Sequence, residues 1–178
     1  MKKLLSAICL AATLALTATV LADDAPKRPF ISMEGSTVDQ IVIGLVPAGL
    51  RTYNVYSATV TAGLFEAATG QATNYALLRH DGLFVVDIRG AFFATDGFAV
   101  GVRIQGYSQP LPLTPEMFLD PAIEPPEPDE ANVRVHGVMR LETMAPQYAF
   151  QNHTVFDMHG TFNMATGEMQ FTYTAMVD

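Results

Sequence analysis

The chain has 178 residues, with 18 Asp or Glu against 10 Lys or Arg and a net charge of −8 at neutral pH. That balance excludes a nucleic-acid binder that works by phosphate neutralisation, and it opposes docking to anionic lipid. A single cysteine, Cys9, excludes a disulfide framework and a thiolate metal site.

Residues 1–22 read as a secretory signal peptide. Lys2 and Lys3 precede an apolar run to Leu21, and Val20-Leu21-Ala22 places short residues at the cleavage positions before Asp23. A retained anchor would fit the length, but the basic start and the Val-x-Ala ending favour cleavage. Cys9 comes too early in the run, after Ile8, for lipid attachment. Removing Lys2 and Lys3 leaves 8 basic residues against 18 acidic, a net of −10 for residues 23–178. The reading is one periplasmic or secreted, acidic domain that is not embedded in a membrane.

After a polar lead-in over residues 23–29, Phe30–Glu34 can form a first strand. Ile43-Gly-Leu-Val-Pro-Ala-Gly-Leu-Arg51 has the glycines and proline of a loop. Thr52–Thr61 is β-branched and aromatic, alternating Tyr53 and Val55 with Asn54 and Tyr56. Short strands at Gly63–Glu66 and Ala72–Arg79 flank a Thr-Gly turn. His80-Asp-Gly82 and Thr95-Asp-Gly97 bound a strand over Leu83–Ala94. Further strands fall at Phe98–Tyr107, Val133–Thr143, Tyr148–Phe162 and Met169–Val177, with turns at Pro146 and Thr166-Gly167. Residues 108–131 differ in kind, with seven prolines between Pro110 and Pro128 and acids at Asp120, Glu124, Glu127, Asp129 and Glu130. They predict a long loop with one short helix, Pro115–Leu119, capped by Thr114. The loop is a solvated connection or a lid over one barrel mouth. The fold class is therefore all-β: a single antiparallel barrel of eight to nine strands.

Strand parity sorts the side chains into two faces. Phe84, Val86, Ile88 and Phe92 share one face, and Asp87 and Arg89 the other. Val100, Val102 and Ile104 oppose Arg103; Val133, Val135, Met139 and Leu141 oppose Arg140 and Glu142. Two assignments are open: an apolar core under a solvated mixed face, or a mixed face lining a polar cavity.

Several motifs in order resemble a bacterial family of small barrels, the domain of unknown function 3237. They are Ile43-Gly44 with Pro47, Gly49 and Arg51; Asn74-Tyr75; Asp81-Gly82; Asp87-x-Arg89; Asp96-Gly97; Leu141-Glu142-Thr143; and Tyr148-Ala149-Phe150-Gln151-Asn152. Asn74 stands where the family has an acid, which removes any base at that position. Tyr75 and Phe150 stand where it has tryptophan. The resemblance implies a small barrel and brings Asp87, Arg89, Arg103, Arg140, Glu142 and Asn152 toward one interior; a looser similarity, of fold alone, is to allene-oxide-cyclase-like and lipocalin-like barrels. The family resemblance picks out Glu142, Tyr148 and Asn152 as the best-matched members, while strand parity pairs Arg140 with Glu142 on the mixed face.

Three functions follow. The first is binding of a small, largely apolar or carbonyl-containing ligand, oriented by Arg89, Arg103, Arg140, Tyr148 and Asn152. The second is an isomerase, cyclase or hydratase with Asp87 or Glu142 as acid or base. The third is an interaction protein whose acidic loop meets a basic partner. A homo-oligomer is compatible with each. His153, Asp157 and His159 share a parity, but the spacing is common by chance, so no metal or cofactor is expected.

Overall fold

The structure is a computed structural model and describes residues 28–111, 114–124 and 127–176. The signal peptide, the start of the lead-in and Val177 lie outside the described residues. Eight strands close into one antiparallel meander: β1 (Phe30–Val46), β2 (Gly49–Gly63), β3 (Thr69–Arg79), β4 (Phe84–Phe93), β5 (Ala99–Ser108), β6 (Asn132–Glu142), β7 (Val155–Asn163) and β8 (Glu168–Ala175). The barrel closes where β8 pairs with the first seven residues of β1, Phe30–Ser36.

The apolar face points inward. Val86, Ile88, Val102, Ile104, Val135, Met139, Phe156, Met158 and Tyr173 are all buried in one core. Arg89, Arg103, Arg140 and Glu142 stand on the outer wall. Closure at this small circumference makes strands bend sharply, and glycines permit it. Gly106 and Gly137 face each other across β5 and β6, and a Cβ on Gly106 would run into the His136 carbonyl. Filling the interior with ions would cost several kcal/mol each in desolvation, so the aliphatic face takes it. The outer wall thus carries these ions among exposed apolar side chains such as Ile41, Tyr75, Phe93 and Tyr107.

Four expectations need correction. The segment 43–51 is not a loop: β1 runs on to Val46 and turns tightly at Pro47-Ala48 into β2. Its irregularities are absorbed within the strand, with Gly44 at φ 119° beside a register shift. The first strand is accordingly 17 residues long, not five. Residues 64–67 form a turn, with Phe65 and Ala67 at positive φ. Tyr148–Phe162 is two elements, a 3-10 helix over Pro146–His153 and then β7. Pro146 starts that helix because it lacks an N–H and has a helix-compatible φ.

The short helix in the long loop, α1 (Pro115–Leu119), forms as read, with Thr114 Oγ1 accepting from the Met117 N–H. Loop and helix fold over the barrel end where β1 meets β2, here the upper end. Leu111 donates its N–H to the Gly82 carbonyl, and Pro115 is buried. The 3-10 helix lies at the lower end, where Tyr148 packs edge-on against Phe65.

Candidate functional site

The interior is not completely filled. A void of about 140 Å³ lies below the upper mouth, among Thr37, Gln40, Thr52, Asn54, Phe84 and Phe118. Deeper, a void of about 40 Å³ is walled by Tyr56, Asn74, Val86, Ile88, Met158 and Phe171. A third, about 30 Å³, lies beyond Tyr56 among Met33, Ala58, Val102 and Tyr173. Successive voids share walls: Phe84 and Phe162 between the first two, Tyr56 and Ile88 between the second and third.

Polar groups in this shaft come from β2 and β3, from Thr37 and Gln40 of β1 at the upper void, and from Ser108 of β5 at the next. Inward parity on β2 gives Thr52, Asn54 and Tyr56, and register sets Asn54 opposite Asn74. Asn54 and Asn74 are 2% and 1% exposed, so their amides need partners inside the protein. Gln40 Nε2 donates to Asn54 Oδ1 at 2.8 Å. The Asp87 backbone N–H donates to Asn74 Oδ1 at 3.1 Å, and Asn74 Nδ2 donates to the Tyr56 hydroxyl at 3.0 Å. Burial pushes the Tyr56 phenol above its ordinary pKa of 10.0, while hydrogen bonds from Asn74 and Asn54 pull the other way. Tyr56 is thus a neutral hydroxyl at physiological pH. Its oxygen accepts from Asn74, and its own proton is donated to no side chain or backbone oxygen among the described residues. Thr52 Oγ1 is buried without a partner among the described residues.

The site residues read from the sequence lie elsewhere. Asp87 and Arg89 form an ion pair on the outer wall at 3.2 Å, and the Arg89 guanidinium sits 5.7 Å from the Tyr75 ring centroid. Register places Arg89, Arg103 and Arg140 directly opposite one another across β4, β5 and β6. The three arginines are therefore brought together, but outside. Glu142 lies opposite Gly101, and no ion pair joins it to Arg140 among the described residues.

Asn152 is a backbone clamp. Its Oδ1 accepts from the Thr143 N–H at 2.8 Å and its Nδ2 donates to the Thr143 carbonyl at 3.0 Å. Tyr148 donates to Asp96 Oδ2 at 2.7 Å, joining the 3-10 helix to the 95–97 turn. With Gln147, it holds the Asp96 carboxyl below the usual range. The expected convergence on one interior is corrected: none of these seven side chains lines the three voids. His153 ends the 3-10 helix rather than sharing β7 with Asp157 and His159, so that trio is not formed.

The residues that do face the voids were missed because Thr52–Thr61 alternates polar and apolar side chains with no charge to break the tie. The one signal was Asn74, which stands where the resembled family carries an acid.

No family model matches the chain, and no curated protein does. Solved structures similar to it include a protein of unknown function from Clostridium acetobutylicum, at TM-score 0.61 and 18% identity, covering 83% of this chain and 97% of that one. A beta-barrel like protein from Acinetobacter baumannii aligns at TM-score 0.56 and 19% identity, over 83% and 94% of the two chains. An enzyme from Penicillium herquei aligns at TM-score 0.52 and 14% identity, over 86% and 99%. At these identities the likeness is one of fold.

Proposed function

We propose that this small β-barrel binds a small, mostly apolar molecule in its interior, with Tyr56 donating a hydrogen bond to a carbonyl or hydroxyl oxygen of the guest. The observation that carries the reading is a buried phenol held by the Asn74 amide beside a mostly apolar void with adjoining voids. Pockets of this kind orient a ligand with a few fixed polar groups and hold it by apolar contact. The void sizes favour a guest of few heavy atoms, entering beneath Phe118. The proposal includes export by the N-terminal segment and membership of the domain of unknown function 3237 family, which the ordered motifs support.

Native mass spectrometry of protein purified without denaturation identifies a retained guest, and titration calorimetry then measures its affinity. Tyr56→Phe should weaken binding about 10-fold, the worth of one buried hydrogen bond. Equal binding by wild type and Tyr56→Phe would overturn the assignment. A second reading, catalysis, gains from the fold neighbour that is an enzyme. Tyr56, rather than Asp87 or Glu142, is the proton donor that this reading uses. A guest recovered chemically unchanged after incubation favours binding alone.

A further inference from the structure

We infer that the interior guest is uncharged and that its polar end lies in the upper void, against the Thr52 hydroxyl. The inference rests on the interior binding proposed above and adds the guest's charge and a second anchoring point.

The upper void, about 140 Å³, is the largest of the three. Its polar side chains are Thr37, Gln40, Thr52 and Asn54. Three of them are already engaged. Thr37 Oγ1 donates to the Gly167 carbonyl at 3.4 Å, and Gln40 Nε2 donates to Asn54 Oδ1 at 2.8 Å. Thr52 is different: it is 3% exposed, and its Oγ1 has no partner among the described residues. A threonine hydroxyl can donate once and accept twice. Buried hydroxyls are ordinarily hydrogen-bonded, because an orphan loses its water and gains nothing in return. The void beside it is several times larger than a single water needs. An occupant with a polar group can therefore meet Thr52 there.

Wall chemistry sets the charge of that group. Among the described residues that line the three voids there is no Asp, Glu, His, Lys or Arg. A carboxylate or ammonium brought to Thr52 would shed its water and meet no counter-ion, a desolvation cost that nothing on the wall offsets. The net charge of −8 opposes an anion further. A hydroxyl, carbonyl or amide meets neither obstacle and can pair with Thr52 as donor or acceptor. Thr52 and Tyr56 share the inner face of β2, about 13 Å apart along the strand. A guest that reaches both has an uncharged polar group at each end of a short apolar chain. Phe84 and Phe162, which wall both the upper void and the next, would flank that chain.

Hexamethylene glycol, ω-hydroxyhexanoate and ω-aminohexanol share one chain length and differ at one end, which is neutral, anionic or cationic. Each is titrated into the protein at neutral pH, and the amide chemical shifts of Thr52 and Tyr56 report entry to the interior. The glycol should bind on the order of 100-fold more tightly than either ion. Thr52→Val keeps the side-chain shape and removes the hydroxyl. It should weaken the glycol about 10-fold and leave the melting temperature unchanged or higher, since an unpaired buried hydroxyl is gone. A hydroxyl that holds only water would instead give a variant of unaltered affinity. Should Thr52→Val fail to fold, the charge series on the unaltered protein decides. Equal affinity for either ion, or for the glycol in wild type and folded variant, overturns this inference and leaves the Tyr56 assignment to its own test. If none of the three compounds perturbs Thr52 or Tyr56, the interior reading falls with it.

Discussion

Single side chains in this barrel show how location overrides chemical type. Asn152 and Asn74 are both amides, yet one braces a backbone turn and the other positions a phenol. Gln151 is fully buried, and neither its Oε1 nor its Nε2 has a partner among the described residues. An unpaired buried amide costs about 1–3 kcal/mol. Gln151→Met, near in volume and free of polar demand, should therefore raise unfolding free energy by about 1 kcal/mol in urea titration. A loss of stability would show instead that a water or ligand satisfies the amide. Nothing in the sequence around Gln151 distinguishes it from the exposed Gln147 four residues before it. Strand parity was the wrong ruler there, because the segment is a 3-10 helix.

Among elements, the most legible were the central strands. The reading of Leu83–Ala94, Phe98–Tyr107 and Val133–Thr143 agrees with β4, β5 and β6 to within one residue at each end. Asp-Gly turns bound β4 and precede β5, alternation marks β6, and both signals are local. The β1–β2 hairpin was illegible because glycine and proline also serve bulges and two-residue turns, which look like a loop in one dimension. The strand glycines can be told apart by experiment. Gly106→Ala should cost about 2 kcal/mol, since the added methyl meets the backbone of β6. Gly101→Ala should cost less, about 1 kcal/mol or under, because the added carbon meets the Glu142 carbonyl at 3.3 Å, a tight contact relieved by a small shift rather than an overlap. Equal effects on the denaturation midpoint would contradict the bending role given to Gly106.

For the molecule as a whole, the inward phenols tie stability to alkaline pH. Burial raises the pKa of Tyr56 and Tyr173 above 10.0, so the folded state favours their neutral forms. Below about pH 10 both phenols are protonated in the folded and unfolded states alike, and their full contribution is present. As pH rises further, the unfolded chain loses those protons first, and stability falls until the folded pKa values are passed. Melting curves from pH 8 to 11 should show this decline, and Tyr56→Phe should make it shallower. A decline identical in the variant would mean that Tyr56 is not buried as described.

Composition and alternation by themselves determined an acidic, all-β, barrel-forming chain, because turn chemistry and period-two patterning are local properties that each short segment carries alone. Parity also grouped Asp87 with Arg89, and Arg140 with Glu142, on the correct shared faces. It could not say which face turns inward, since alternation is symmetric under exchange of the two sides of a sheet. Closure decided that. Eight strands around a narrow circumference leave an interior too tight and too dry for the ions, so the arginine row went to the outer wall. The amides and phenol of β2 and β3, polar but uncharged, could remain inside once their partners on neighbouring strands came within hydrogen-bonding reach.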